Sequence, residues 1–178
     1  GHGVPGAFMS LLSVTLLNEI VNVHGVTSSD DIVTQLRERI FHSLHQYKKD
    51  LTTLDGLDLA LCVLDKNKGT IQFTGAMNNL VYIRDGYLEV IKADHFSVNG
   101  MFVDFGPITK KELTFRKGDV IYLFSDGYKD QFGGDRDKKY SVRRFYETLL
   151  EIHKLPMKDQ RIMLNKKLSH WMQDTVQT

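Results

Sequence analysis

The residues best placed to do chemistry lie where an apolar run ends: Phe124-Ser125-Asp126-Gly127-Tyr128-Lys129-Asp130-Gln131-Phe132, directly after Val120-Ile121-Tyr122-Leu123. Apolar at every position, the run Val120 to Phe124 reads as a central strand covered on both faces. Such a strand would hold the Asp126 carboxylate rigidly at a sheet rim, while Gly127 lets the backbone turn away and leaves room for a metal ion and its waters. An isolated Asp-Gly is otherwise simply a turn, as Asp85-Gly86 between two strand patterns is read here. A second stretch, Gly1-His2-Gly3-Val4-Pro5-Gly6-Ala7, runs small residues straight into a helix and could bring backbone close to a ligand at the positive helix end. Without a ligand it is a glycine-rich helix entry. A third, Leu54-Asp55-Gly56-Leu57-Asp58-Leu59-Ala60, flanks the start of a strand with two acids. Asp55 reads as a solvated turn residue, whereas Asp58 enters an apolar strand, where a buried carboxylate needs partners.

The elements that must position these residues follow from hydrophobic period. From Pro5 onward Phe8, Leu11, Leu12, Leu16, Ile20 and Val23 recur at helical spacing, with Gly25 just past the end. A second helix is capped by Ser28 or Ser29, carries Asp30 and Asp31 at its positive end, and lines one face with Ile32, Val33, Leu36, Ile40, Leu44 and Tyr47. The period then becomes that of strands over 57–65, 70–75, 80–84, 87–91, 112–116 and 120–125, predicted to form a meander with turns at Lys66-Asn67-Lys68-Gly69, Asp85-Gly86 and Lys117-Gly118-Asp119. After a polar loop over 133–139, Val142, Phe145, Tyr146, Leu149, Leu150 and Ile152 mark a third helix, and Ile162, Met163, Leu168 and Trp171 a last one, their aromatics read as core. Helices, antiparallel strands, then helices imply an α+β fold with helices packed on a sheet.

Composition narrows the function classes. Lys and Arg number 23 against 22 Asp and Glu, a net charge of +1, so the electrostatic footprint of a nucleic-acid binder is missing. The basic run Arg136, Lys138, Lys139, Arg143 and Arg144 reads as a solvated face before it reads as a dock for an acidic partner. The single cysteine, Cys62, excludes an internal disulfide and a cysteine-based zinc site and suits a reducing compartment. No membrane span is expected, because the most apolar segment, Phe8 to Val21, is cut by Ser10, Ser13, Thr15, Asn18 and Glu19. With no repeat or linker the 178 residues read as one domain, and a start at Gly1 inside a Gly-His-Gly turn suggests a piece of something longer.

GHGVPGAFMS, DGLDLALCVLD and GDVIYLFSDGYKDQFGG, in this order and spacing, resemble the SpoIIE-type branch of the metal-dependent serine/threonine protein phosphatases, bacterial relatives of the type 2C enzymes. Phe105-Gly106-Pro107 is similar to that family's connecting loop. The resemblance covers nearly the whole chain. It implies an α-β-β-α sandwich of antiparallel sheets with flanking helices, holding two Mn²⁺ or Mg²⁺ ions that activate a water for in-line attack on phosphorus. Asp126 is then the metal ligand; Gly1, Gly3, Asp58 and Gly127 lie near the site, and His2 could donate to a phosphoryl oxygen or orient a water. The implied substrate is a phosphoserine or phosphothreonine protein, such as an anti-sigma-antagonist-like regulator, met in the cytoplasm beneath an upstream sensor region that could tether the parent to a membrane.

The chain also departs from the pattern. The family's first acid would precede Gly1 and its closing Asp-Asp pair would follow Thr178, so 1–178 is expected to be a domain truncated at both ends. Asp126 alone would hold a dication weakly, and the chain by itself is expected to be inactive. Missing early strands would leave sheet edges able to pair with a second copy. Gly75-Ala76-Met77-Asn78-Asn79 stands where many relatives have Ala-Gly-His, which puts a histidine's role there in doubt. The rival expectation is a non-catalytic module of the same fold that binds a regulatory partner.

Overall fold

The computed structural model describes residues 3–45, 56–99, 106–135 and 137–173. In chain order the elements are α1 (Gly3–Asn18), a π turn (Glu19–Val23), α2 (Ser29–His45), β1 (Gly56–Leu57), β2 (Leu59–Asp65), β3 (Thr70–Ala76), β4 (Leu80–Arg84), β5 (Tyr87–Ile91), β6 (Val98–Asn99), β7 (Lys111–Thr114), β8 (Val120–Leu123), α3 (Gly127–Asp130), β9 (Phe132–Gly133), β10 (Lys138–Lys139), α4 (Val142–Ile152) and α5 (Met157–Met172). This is the expected α+β class. The chain separates into two compact units, one reaching from the start to Leu80 and resuming over Ile91–Lys117, the other made of Val81–Val90 and the residues from Gly118 onward.

In the first unit β2, β3 and β7 form an antiparallel sheet, with β3 in the middle, Leu59 opposite Ala76, Asp65 opposite Thr70, and Ile71 opposite Leu113. The β2–β3 turn forms because the Asp65 carboxylate accepts from the Asn67 and Lys68 amides. The apolar face of α2 is buried over its first three turns: Ile32, Val33, Leu36 and Ile40 share a core with Met9, Leu16, Ile20, Ala76, Phe96 and Val98, and Leu44 packs against it partly buried. Docking of α2 on the sheet includes a polar contact at Ser29. The buried Ser29 amide donates to Gln72 Oε1 at 3.1 Å, and its hydroxyl meets Thr74 Oγ1 at 2.8 Å. At the far end of β3 the chain bends, and a Cβ on Gly75 would lie 2.6–2.7 Å from the Phe73 ring, the Ala93 Cβ and the Asn78 carbonyl, so only glycine fits there.

Helix α1 corrects one expectation. With the π turn it runs unbroken from Gly3 to Val23, 21 residues, and by length and composition alone it is apolar enough to cross a membrane. The hydroxyls counted against it are satisfied inside the helix: Ser10, Ser13 and Thr15 each donate to the carbonyl four residues back. Here its inner side, Met9, Ser13, Leu16 and Ile20, is buried in the unit's core.

In the second unit the strand order is β5-β4-β8, so two hairpins, β2–β3 and β4–β5, each gain a third strand from further along the chain rather than forming one meander. A second correction follows. Among the described residues β8 is the outer strand of its sheet and only half-buried, with Leu123 45% exposed, while the central, buried strand is β4. Val81, Ile83, Tyr140, Phe145 and Leu149 make this core, and the rings of Phe124, Tyr128, Tyr140 and Trp171 extend it edge to face. The polar loop expected over 133–139 contains the hairpin β9–β10.

One buried carboxylate joins β4 to the start of β8. Asp119, its side chain 4% exposed, accepts from the Tyr82 hydroxyl and from Arg84 Nε at 3.1 Å and Nη2 at 2.7 Å. Such a fork leaves the carboxylate no unsatisfied oxygen. Replacing it by Asp119→Asn should cost about 2 kcal/mol, because Arg84 loses its counter-charge and the amide cannot accept at both positions. The urea midpoint read from the single tryptophan, Trp171, checks this, with the exposed Glu112→Gln within about 0.5 kcal/mol of the parent.

Burial pushes the Cys62 thiol up to about 11 from its ordinary 9.0. Alkylation at pH 8 should then run about 100-fold slower in the folded chain than in urea, as the thiolate is the reactive form. The same shift makes stability fall as pH rises from 9 through 11, since the unfolded chain releases this proton first.

Candidate functional site

Strand β8 delivers Asp126 to the surface. Beyond Leu123 the Phe124 ring packs on Phe145 at 4.9 Å and on Tyr146 at 6.2 Å, which anchors the strand end from behind. Asp126 follows with φ −71° and ψ −22°, its side chain exposed and without a hydrogen-bond partner on α3. It opens that four-residue helix through its carbonyl, which accepts from the Asp130 amide at 3.0 Å. A carboxylate exposed and left unengaged on a firm backing is free to take a cation, a water or a donor from another molecule.

Gly127 does not have the backbone role foreseen for it. It adopts ordinary helical geometry, and a Cβ there would meet nothing nearer than Ser125 Oγ at 4.0 Å. Its contribution is the open space beside Asp126. Behind them the segment is tied down: the Tyr128 hydroxyl donates to the Leu164 carbonyl at 2.8 Å, the Ser141 amide to the Lys129 carbonyl at 2.9 Å, and Lys139 pairs with Asp130 at 3.1 Å. Burial raises the Tyr128 phenol well above its ordinary value, so it remains a neutral donor.

Gly3 and Asp58 lie in the first unit. Gly3 opens α1 with φ +73°, a conformation that favours glycine, whereas Gly1 and His2 lie outside the described residues. Asp58, expected to be buried, is exposed in the gap between β1 and β2, where it accepts from the Ser97 hydroxyl at 2.8 Å. The strand that was expected to bury it is interrupted at that residue. Asp55, Phe105 and Arg136 lie outside the described residues, while Lys138, Lys139, Arg143 and Arg144 are exposed, as a solvated face requires. Met77 sits exposed at φ +63°. Its bend is held because the Met77 amide donates to the Asp94 carbonyl and the Asp94 amide to the Gly75 carbonyl, both at 3.0 Å. The Asp94 carboxylate in turn accepts from the Thr109 amide at 2.8 Å and hydroxyl at 2.7 Å. The pattern of acids and glycines singles out Asp126 but not these supports, nor Trp171, whose partners Gly133 and Gly134 were read as a loop.

As a metal centre the donor set is incomplete. Asp126 has the hard oxygen chemistry of a Mn²⁺ or Mg²⁺ ligand, yet no group of three or more histidine, cysteine, aspartate or glutamate side chains able to hold an ion exists among the described residues.

Comparison with known proteins agrees with the geometry. In structure the chain is similar to the SiaA-PP2C domain of Pseudomonas aeruginosa, with a TM-score of 0.84 and 24% identity over 99% of this chain and 68% of that one. It is similar to the PP2C phosphatase domain with a fragment of the regulatory domain of SpoIIE from Bacillus subtilis, with a TM-score of 0.71 and 16% identity over 99% of this chain and 48% of that one. A third similar structure is the catalytic domain of the serine/threonine phosphatase PstP, a Mycobacterium tuberculosis protein, in complex with two manganese ions, at a TM-score of 0.64 and 17% identity over 94% and 77% of the two chains. No curated protein sequence matches. These likenesses establish the PP2C fold, and the family model for stage II sporulation protein E matches residues 1–176: the chain belongs to the SpoIIE family of phosphatase domains.

Proposed function

We propose that this chain forms the greater part of a metal-dependent protein phosphatase domain that removes phosphate from phosphoserine or phosphothreonine on a regulatory partner protein. The observation that carries this reading is Asp126: an exposed, unengaged carboxylate at the end of an anchored strand, inside the Gly118-Asp119 to Ser125-Asp126-Gly127 block. Its role is that of one oxygen ligand among several. The manganese ions in the PstP structure support Mn²⁺ as the ion, with Mg²⁺ the alternative of the same hard character. When complete, such a centre supplies a nucleophilic hydroxide near neutral pH and charge neutralisation at the phosphoryl oxygens. This chain's part is to present Asp126 in a fixed direction and to leave the space beside Gly127 clear. A phosphoprotein substrate of the regulator type fits a family whose members are phosphatase domains, and a cytoplasmic setting fits one unpaired cysteine.

The incomplete donor set favours a second reading, a non-catalytic module that keeps the fold and binds a regulatory partner. Hydrolysis of a generic phosphate ester with Mn²⁺ separates the two. The chain alone should be inactive, and a longer version carrying acids at the family's positions before Gly1 and after Thr178 should turn over. In that version Asp126→Asn should lower turnover at least about 100-fold without lowering the urea midpoint, as loss of one ligand to a catalytic ion requires. Full Mn²⁺-dependent turnover by the Asn variant would remove Asp126 from the site. Neither turnover nor Mn²⁺ binding in the longer version would favour the binding module.

A further inference from the structure

Helix α3 has only four residues, too few to hold its own direction, because a single turn fixes several dihedrals for one hydrogen bond. Its direction must come from what it touches, and what it touches leads to one residue in the last turn of α5. The Trp171 carbonyl accepts from the Gly134 amide at 2.8 Å, and the Trp171 indole N–H donates to the Gln131 carbonyl at 3.1 Å. Gln131, 1% exposed, follows α3 directly, and its carbonyl also accepts from the Tyr140 amide at 2.9 Å.

The fit leaves no room for a side chain. A Cβ on Gly133 would lie 2.0 Å from the Trp171 carbonyl oxygen, and one on Gly134 2.8 Å from the indole ring. Arg144 stacks its guanidinium 4.3 Å above the same ring, and Tyr140 meets it edge-on at 5.5 Å. About two turns earlier on α5, the Leu164 carbonyl takes the Tyr128 hydroxyl. The segment from Asp126 to Gly134 is thus gripped by α5 at both ends.

We propose that Trp171 is a positioning residue: by clamping Gln131, Gly133 and Gly134 it fixes α3 and so sets the direction in which Asp126 presents its carboxylate. The clamp is independent of what Asp126 binds, whereas its value to catalysis rests on the reading of Asp126 as a metal ligand.

The test uses the full chain and two measurements. Trp171→Phe keeps a ring against Gly134 and under Arg144 but removes the indole N–H; Gly133→Ala forces a Cβ onto the Trp171 carbonyl. Amide hydrogen exchange is read at Asp130, Gly134, Tyr140 and Ser141, whose hydrogen bonds define the clamp, and at Leu149 and Ile152 in α4 as reference. Both variants should exchange at least about tenfold faster at the first group and unchanged at the second, as a local opening does. The second measurement is broadening of the Gly127 amide resonance by added Mn²⁺, which should weaken in both variants and vanish in Asp126→Asn, while Asp126→Asn leaves exchange at Gly134 as it was. Unchanged exchange at the clamp, or an equal rise in α4, overturns the proposal. Local exchange with no Mn²⁺ broadening even in the parent supports the clamp and overturns the metal role of Asp126 in this chain.

Discussion

A carboxylate taken out of water must find as many donors as it has lost, and Asp119 finds them on β4, in the Tyr82 hydroxyl and the Arg84 fork. This pins the entry of β8 to the middle strand of its sheet, and the position of everything after it depends on that anchor. Seven residues past Asp119 the strand has ended and Asp126 stands exposed, with no cap hydrogen bond on α3. Two aspartates at the two ends of one strand therefore have opposite fates. The first is consumed by the fold. The second is left over, and a leftover carboxylate on a rigid support is what a binding site requires.

The rigidity has a specific source. Among the described residues β8 is an outer strand, half-buried, and lacks the cover on both faces that its run of apolar residues suggests. Tyr122 shows why that pattern misleads: its ring counts as apolar, yet its hydroxyl reaches out to donate to Gln160 Oε1 at 2.7 Å, and Leu123 turns to solvent. Position is imposed instead at the two ends, by Asp119 before the strand and by α5 acting on α3 after it. Long-range contacts of this kind leave no local mark in a sequence, because Trp171 is 40 residues from Gln131 and nothing in either neighbourhood points to the other.

What was legible follows the same division. The long helices, the hairpins at Lys66–Gly69 and Asp85–Gly86, and the strands over 59–65, 70–76, 80–84 and 87–91 repeat their period often enough to be read. Elements of two to four residues, such as β6, β9, β10 and α3, have no period at all. Strand pairing was read as sequential because hairpins are, but β7 and β8 join their sheets across long stretches of chain. Asp58 was misplaced for a simpler reason: one residue of strand pattern was assumed continuous where the backbone breaks and lets the side chain out to Ser97. At the site, residue type and spacing single out Asp126 at the end of a strand, but not the groups that support it.

Fold and activity in this chain draw on different residues. Stability comes from the two apolar cores, around Leu36 and Ile40 in one unit and around Ile83 and Leu149 in the other, with Asp119, Ser29 and Asp94 satisfying the polar groups those cores enclose. None of these needs a metal. A hard dication needs several oxygens converging from separate elements, and the described residues include no group of three or more such side chains. Asp126 could therefore be replaced and the architecture kept, since it sits outside the cores. Likeness of fold at low identity then speaks for the scaffold. On the proposed reading of Asp126 as a ligand, the choice between hydrolysis and binding rests on the acids that would complete its set.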